Sequence, residues 1–274
     1  MVPILFTFGF LKIYTFGIFL VLALFWALFI LWRIIKLTSY KEEDVFDIFF
    51  VSLTFALFFG RLLFFIANAE TLKFDLLKFI LINGYPGMSL IGCLLGGFLA
   101  FYVACRRKKI APLDLVDYFT PSLFIALAIG KIGSFLSGVD SGTKTKFFLA
   151  VHYSGLDGTR HIVAIYESIL FFIGAYICYR CLLQIRRQAF ASGTALYLFV
   201  LIFSGTSMLL DKLKYNHLYL AGFSINFATS VILFGLAGCY FIYYFRSDII
   251  TKYKQYEQTF FKRNSRDTSQ KTDK

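Results

Sequence analysis

The amino-acid sequence predicts an all-α, polytopic membrane protein with about seven transmembrane helices. Hydrophobic residues make up 58% of the 274 positions and charged residues only 16%. A chain of that composition cannot bury its apolar surface in one aqueous core. The apolar residues also fall into runs of about twenty, the length that a helix needs to cross the hydrocarbon layer. Composition and run length therefore predict the same fold class.

Seven apolar segments give the predicted helices. The sixth of them is the shortest, and in order they cover roughly residues 13–32, 46–68, 80–104, 116–138, 162–183, 194–210 and 220–245. We expect residues 1–250 to form one membrane domain. Residues 251–274 are polar and basic, and we expect them to form a disordered cytoplasmic tail. No basic region precedes the first segment and no small-residue cleavage site follows it, so we expect it to remain in the mature protein.

The basic residues are distributed unequally between the two sets of loops. Of the 28 lysines and arginines, 18 fall in the tail and in the loops after the first, third and fifth segments, and 8 fall in the opposite loops. By the positive-inside rule, the N-terminus then lies outside and the C-terminus in the cytoplasm, which requires an odd number of spans. The same loops and tail explain the net charge of +12, so we do not expect nucleic-acid binding.

Two basic residues, Arg61 and Lys131, fall inside the predicted spans. A charge in a bilayer-embedded helix is costly and by default marks a functional site. Either side chain could instead extend toward the interface, where Lys131 would meet water or Asp140. As site residues, Arg61 would offer paired donors to an anionic headgroup and Lys131 a compact positive charge.

A stretch rich in glycine and hydroxyl groups ends the fourth predicted span. Residues 130–142 read Gly-Lys-Ile-Gly-Ser-Phe-Leu-Ser-Gly-Val-Asp-Ser-Gly. Ser134 and Ser137 lie about one helical turn apart, where they could donate to ester or glycerol oxygens or bond back to their own helix. This stretch places several polar groups beside Lys131 at the mouth of a span.

A second polar stretch, residues 160–167, leads into the fifth span. It contains His161, a candidate base, although a histidine in an outer loop usually faces water. Glu167 lies near the level of Arg61 and Lys131 by topology. We therefore expect an ion pair there, either in a site or as a buried structural pair.

These stretches resemble motifs of the bacterial prolipoprotein diacylglyceryl transferase family. The family's Gly-Arg matches Gly60-Arg61, its Gly-Met-Ser matches residues 87–89, and its Arg-His and Tyr-Glu match within 160–167. Residues 130–142 keep the glycines and the phenylalanine of its Gly-Arg-x-Gly-Asn-Phe-x-Asn-x-Glu-x-x-Gly signature. Elsewhere the residue type differs from the family motifs: Ile91 stands in place of a histidine, Lys131 and Ser207 each in place of an arginine, Ser134 and Ser137 in place of asparagines, and Val139 in place of a glutamate.

The resemblance implies an enzyme of the bacterial inner membrane. Such an enzyme transfers the diacylglyceryl group of phosphatidylglycerol to the lipobox cysteine thiol of a prolipoprotein. The sequence shows no metal-ligand cluster or nucleotide-binding loop, so we expect no cofactor. The resemblance implies catalytic roles for His161 and Glu167. It also implies that six residues contact the bound substrates: Arg61, Ser89, Lys131, Ser134, Ser137 and Tyr166. Two alternatives remain open: an inactive relative that binds lipid or a lipoprotein precursor, and a small-solute transporter.

Overall fold

The computed structural model describes residues 4–8, 11–68, 76–80, 88–215, 219–220 and 223–246. Within these residues the chain forms eight α-helices: α1 Thr15–Ile35, α2 Glu42–Ala67, α3 Leu76–Ile80, α4 Leu90–Arg107, α5 Pro112–Ser137, α6 Val163–Arg186, α7 Thr194–Leu210 and α8 Ile225–Tyr244. Three short antiparallel strand pairs join them: β1 Ile4–Phe8 with β2 Leu11–Tyr14, β3 Val151–His152 with β4 Thr159–Arg160, and β5 Tyr219–Leu220 with β6 Phe223–Ser224.

The prediction of an all-α, polytopic membrane protein is confirmed. Six of the described helices are long and apolar enough to cross a membrane, namely α1, α2, α5, α6, α7 and α8. The remaining predicted span, the third in the chain, corresponds to α4, whose 18 residues extend about 27 Å. Residues 81–87, which belong to that predicted span, lie outside the described residues, so the count of seven is not confirmed. The tail at 251–274 also lies outside them.

Local sequence explains where several helices begin and end. Three acidic residues occupy the first turn of α2, where they complement the positive end of the helix dipole. Pro112 stands at the start of α5, where its missing N–H costs nothing. Gly138 ends α5 in the left-handed conformation, with φ 76°, which glycine adopts without steric cost.

One end of the bundle is held by an apolar core between four helices. This core contains Leu31 and Ile35 of α1, Val45 and Ile48 of α2, Phe101 and Cys105 of α4, and Leu115 and Phe119 of α5. Outside it, Lys108 pairs with Asp44 at 2.7 Å and Asp47 at 2.8 Å. We call this end, where α1 and α4 finish and α2 and α5 begin, the basic end.

Helices α2 and α4 cross at glycines, so their backbones are in close contact. A Cβ atom on Gly92 would lie 2.4 Å from the Phe59 carbonyl oxygen, and one on Gly96 would lie 2.5 Å from the Phe59 Cβ. A Cβ atom on Gly60 would lie 2.2 Å from the Cys93 sulfur. The small-xxx-small pair of the sequence is therefore a helix-packing motif here.

A second apolar core holds α5, α6 and α7 together. It is built from Phe124 and Ala128 of α5 and from Phe171, Ala175 and Cys178 of α6, with α7 side chains packed against it. A buried hydrogen bond from the Ser168 hydroxyl to the Ala128 carbonyl, 2.8 Å long, fixes α6 against α5. This packing brings the end of α5 and the start of α6 to the end of the bundle opposite the basic end.

Candidate active site

A buried carboxylate on α6 lies between two lysines that come from different parts of the chain. Glu167 is 2% exposed, and its two oxygens lie 2.6 Å from the ammonium groups of Lys131 and Lys214. Lys131 also pairs with Asp140 at 2.8 Å. Asp140, Lys131, Glu167 and Lys214 thus form one chain of alternating charges, which we call the ion-pair cluster. The ion pair expected from Glu167 is present, and so is the Lys131–Asp140 contact of the alternative in which Lys131 extends toward the interface.

The end of α5 explains how Asp140 reaches Lys131, nine residues before it. The left-handed Gly138 reverses the chain, and the Val139 N–H donates to the Ser134 carbonyl at 3.1 Å. The turn carries Asp140 back over the helix it has just left. The glycine that the sequence motif places at 138 therefore has a structural function.

Three loop segments pair as extended backbone above the ion-pair cluster. The Thr143 N–H donates to the Leu213 carbonyl at 2.8 Å, and the His161 N–H donates to the Thr143 carbonyl at 3.1 Å. We call residues 141–145, 159–161 and 213–215 the loop ladder. A Cβ atom on Gly142 would lie 2.4 Å from the His161 carbonyl oxygen, so this signature glycine permits the crossing.

The loop ladder places Lys214 in the ion-pair cluster. Lys214 forms an antiparallel bridge with Gly142, and its side chain turns to Glu167. In the sequence, Lys214 is one of the eight basic residues of the opposite loops and carries no other signal. Glu167, an acid within a predicted span, indicates that cations must lie near it. Which residue supplies the second cation depends on backbone pairing between distant segments, which the sequence does not show.

Several buried polar atoms near the cluster have no hydrogen-bond partner among the described residues. They are the Tyr153 and Tyr166 hydroxyls, the His161 Nδ1 and the Arg160 Nε. Burial, and next the charge of Asp140, raise the pKa of Tyr153 to about 12. Buried polar groups are normally hydrogen-bonded, so their concentration at one place marks a site that a ligand would complete. Tyr153 was not predicted from the sequence.

The remaining predicted residues have local partners. Arg61 is 3% exposed and donates to the carbonyls of Lys78 at 2.7 Å and Phe79 at 3.0 Å, which lie in α3. The Ser89 hydroxyl accepts from the Gly92 N–H at 3.3 Å and caps α4. A role for Arg61 at the bound substrate stays a prediction.

The two serines at the end of α5 are both buried. The Ser137 hydroxyl donates to the Ser134 carbonyl at 3.1 Å, so Ser137 takes the alternative in which the serine bonds back to its own helix. Of the predicted substrate-binding residues, Lys131 lies in the ion-pair cluster and Tyr166 carries one of the unpartnered hydroxyls. Roles for Ser89, Ser134 and Ser137 at a substrate stay predictions.

The apolar helices and the buried ion-pair cluster at the ends of three of them define the class: a helical, multi-pass membrane protein with a charged site. Comparison with known sequences identifies the family within that class. The family model for prolipoprotein diacylglyceryl transferase matches residues 3–244. The chain belongs to this family.

Curated relatives carry the same description. A phosphatidylglycerol–prolipoprotein diacylglyceryl transferase of Clostridium tetani is 29% identical over 221 residues, which cover 78% of this chain and 86% of the relative. The corresponding protein of Clostridium novyi is 25% identical, with coverages of 84% and 91%. That of Staphylococcus saprophyticus is 25% identical, with coverages of 80% and 81%.

Proposed function

We propose that this protein transfers the diacylglyceryl group of phosphatidylglycerol to the lipobox cysteine thiol of a prolipoprotein. The reaction would take place in the bacterial cytoplasmic membrane, with the N-terminus of the enzyme outside and its C-terminus in the cytoplasm. The observation that carries the proposal is the pair of lysines on the buried Glu167. Membership of the family supports the same activity.

The reaction places specific demands on charge. The thiol sulfur attacks the glycerol carbon that bears the phosphate ester, so a carbon–sulfur bond forms while the carbon–oxygen bond breaks. Glycerol phosphate leaves with one more negative charge than the phosphodiester carried, because the released oxygen keeps the bonding electrons. Ammonium groups held in a dry site stabilise that developing charge. Lys131 and Lys214, 24% and 21% exposed, are placed to supply it.

A phosphate that enters the cluster meets cations already paired with carboxylates. Glu167 is 2% exposed and held by two lysines, whereas the Asp140 side chain is 38% exposed and pairs with one lysine, Lys131, among the described residues. Asp140 is therefore the carboxylate that a phosphate would displace. Glu167 stays in place and holds one ammonium group at each of its two oxygens, so that a single phosphate entering the cluster could contact both cations.

The thiol proton also needs an acceptor. The His161 Nδ1 is buried without a partner among the described residues, and a neutral imidazole has one nitrogen that accepts a proton. The Tyr166 ring contacts the imidazole edge-on, with centroids 6.3 Å apart. His161 is therefore the base that we assign to thiolate formation.

An assay with phosphatidylglycerol vesicles and a lipobox peptide tests the proposal. Lys131→Met and Lys214→Met should each lower kcat by about tenfold or more, since each removes a charged contact to the leaving group. Lys212→Met, two residues from Lys214 and exposed, is the matched control and should leave kcat unchanged. His161→Gln should lower kcat by about 10²–10⁴-fold. Full activity of all three site variants would contradict the proposal.

The second candidate function is lipid or prolipoprotein binding without turnover. It is favoured by the isoleucine at position 91, in the first turn of α4, and by the serine at position 207. Under that alternative, the unmodified protein binds phosphatidylglycerol and shows no transfer. Ile91→His combined with Lys131→Arg should raise activity if the pocket is otherwise competent, and should leave it at zero if the protein only binds.

A further inference from the structure

A cavity lies at the loop ladder, lined by residues to which the proposed reaction assigns no role. Its volume is about 440 Å³, and it is lined by Thr143, Lys144, Gly155, Leu156, Asp157, Arg160 and Tyr215. It is open to one side of the protein, beyond the end of α5. We call it the ladder cavity.

Arg160 of the ladder cavity is buried, and one of its hydrogen-bond donors has no partner among the described residues. It is 3% exposed, and its guanidinium lies 4.3 Å from the centre of the Tyr215 ring. One Nη donates to the Gly142 carbonyl at 3.1 Å, while the Nε has no partner among the described residues. No carboxylate within the described ranges lies in ion-pair contact with it. A buried guanidinium without an anion is costly.

A second cation stands directly opposite Arg160. Lys144 and Arg160 form an antiparallel bridge, and side chains at opposed positions project from the same face. Like charges in that arrangement destabilise a strand pair. Both residues line the ladder cavity, so an anion in it would satisfy the buried guanidinium and remove the repulsion together.

The rest of the lining restricts the class of anion. Asp157 also lines the ladder cavity, and a carboxylate repels an anionic group but accepts hydrogen bonds from hydroxyl groups. Thr143 adds a hydroxyl that can donate or accept. A ligand that presents phosphate to the two cations and hydroxyls to Asp157 fits all four side chains.

We propose that the ladder cavity binds a phosphorylated polyol of the glycerol phosphate type. The identification with glycerol phosphate rests on the proposed function, in which that compound is the leaving group. The ligand reaches the cavity either as the free, water-soluble product or as the headgroup of phosphatidylglycerol. The phosphate contacts Lys144 and Arg160 in both cases.

Calorimetric titration of the purified full-length protein tests this. In detergent without phospholipid, soluble glycerol phosphate should bind the wild type. Lys144→Gln should weaken that binding about tenfold, the effect of losing one charge-assisted contact. Lys146→Gln is the matched control, because it is an equally exposed lysine of the same loop that does not line the cavity, and its affinity should change less than about twofold.

A second set of measurements separates the source of the ligand and the role of Asp157. Nanodiscs that contain phosphatidylglycerol should compete with soluble glycerol phosphate if the headgroup is the ligand, and nanodiscs of phosphatidylcholine alone should not. Asp157→Asn should strengthen binding of inorganic phosphate and reduce the preference for glycerol phosphate over it. Both results support a phosphorylated polyol.

Two outcomes would overturn the inference: no binding by either soluble glycerol phosphate or phosphatidylglycerol nanodiscs, and equal weakening by Lys144→Gln and Lys146→Gln. The binding readout does not depend on turnover. Loss of transfer activity with normal glycerol phosphate binding would remove the proposed function alone, and normal transfer without binding would remove this inference alone.

Discussion

Replacing Glu167 with glutamine tests whether the ion-pair cluster holds α5, α6 and the segment after α7 together. The two side chains have nearly the same volume, so the substitution removes the charge and leaves the packing. Both lysines then lose the carboxylate that lies 2.6 Å from each ammonium group. The measured change is therefore an electrostatic one.

The expected loss in the free energy of unfolding is about 3 kcal/mol. Removing one partner of a buried ion pair costs about 3–5 kcal/mol, because a charge is left uncompensated. The lower end applies here for two reasons. The lysines retain 24% and 21% exposure, so water screens them in part, and Lys131 keeps Asp140 at 2.8 Å.

Thermal unfolding of the purified protein in detergent measures this loss. At about 2–4 °C per kcal/mol, Tm should fall by about 6–12 °C. Glu43→Gln makes the same chemical change at an exposed position in the first turn of α2 and should shift Tm by about 2 °C or less. Adding Lys214→Met to Glu167→Gln removes a stranded ammonium and should recover about 1–2 kcal/mol.

Two results would refute this reasoning. One is a Glu167→Gln protein as stable as the wild type, which would mean that water reaches the cluster and replaces the carboxylate. The other is an equal loss in the Glu43→Gln control, which would mean that the effect comes from net charge. Both require only the single variants.

Three further predictions concern packing, pH and topology. Gly92→Ala should lower the free energy of unfolding by about 1–3 kcal/mol, since its Cβ would overlap backbone atoms of α2. Gly235→Ala is the control and should not lower it, because nothing lies within 4 Å of the added Cβ. Equal Tm values for the two variants would contradict the close crossing of α2 and α4. Tyr153 stays protonated in the folded protein up to about pH 12, whereas an unfolded tyrosine ionises near its ordinary pKa of about 10. The stabilisation that Tyr153 contributes is thus complete below about pH 10 and is lost between about pH 10 and 12. Tyr153→Phe should therefore reduce the fall in the free energy of unfolding at alkaline pH by about 1–3 kcal/mol. An unchanged fall in the variant would show that Tyr153 titrates normally. A cysteine at position 146 should react with an impermeant reagent outside the cell and one at position 108 should not; the reverse pattern would invert the proposed orientation.

Much of the fold could be predicted from the sequence because hydropathy reports it directly. Apolar run length locates a transmembrane helix whatever it packs against, so the six qualifying helices fall close to six predicted segments. The Lys131–Glu167 pair was also predictable, because two opposite charges at the same depth in a membrane stabilise each other by forming an ion pair. Neither inference needs knowledge of the loops.

The parts that could not be predicted depend on backbone pairing between distant segments. Lys214 reaches Glu167 only because its segment pairs with Gly142, about 70 residues earlier in the chain. Arg61 donates hydrogen bonds to backbone carbonyls of α3. This helix has five residues, too few for hydropathy to distinguish it from a loop. Tyr153 gives no sign in the sequence that its hydroxyl is buried.

The alternating signs of the ion-pair cluster have a consequence for how the protein discriminates among anions. Asp140, Lys131, Glu167 and Lys214 carry two positive and two negative charges, so their fields cancel beyond the Debye length of about 8 Å. The cluster therefore exerts no long-range attraction on passing anions and can recognise one only after contact. The lining of the ladder cavity, with Lys144, Arg160 and Asp157, keeps a net charge of +1 and attracts at a distance. Ionic strength should accordingly change how fast anions arrive at the loops while leaving selection at the ion-pair cluster almost unaffected.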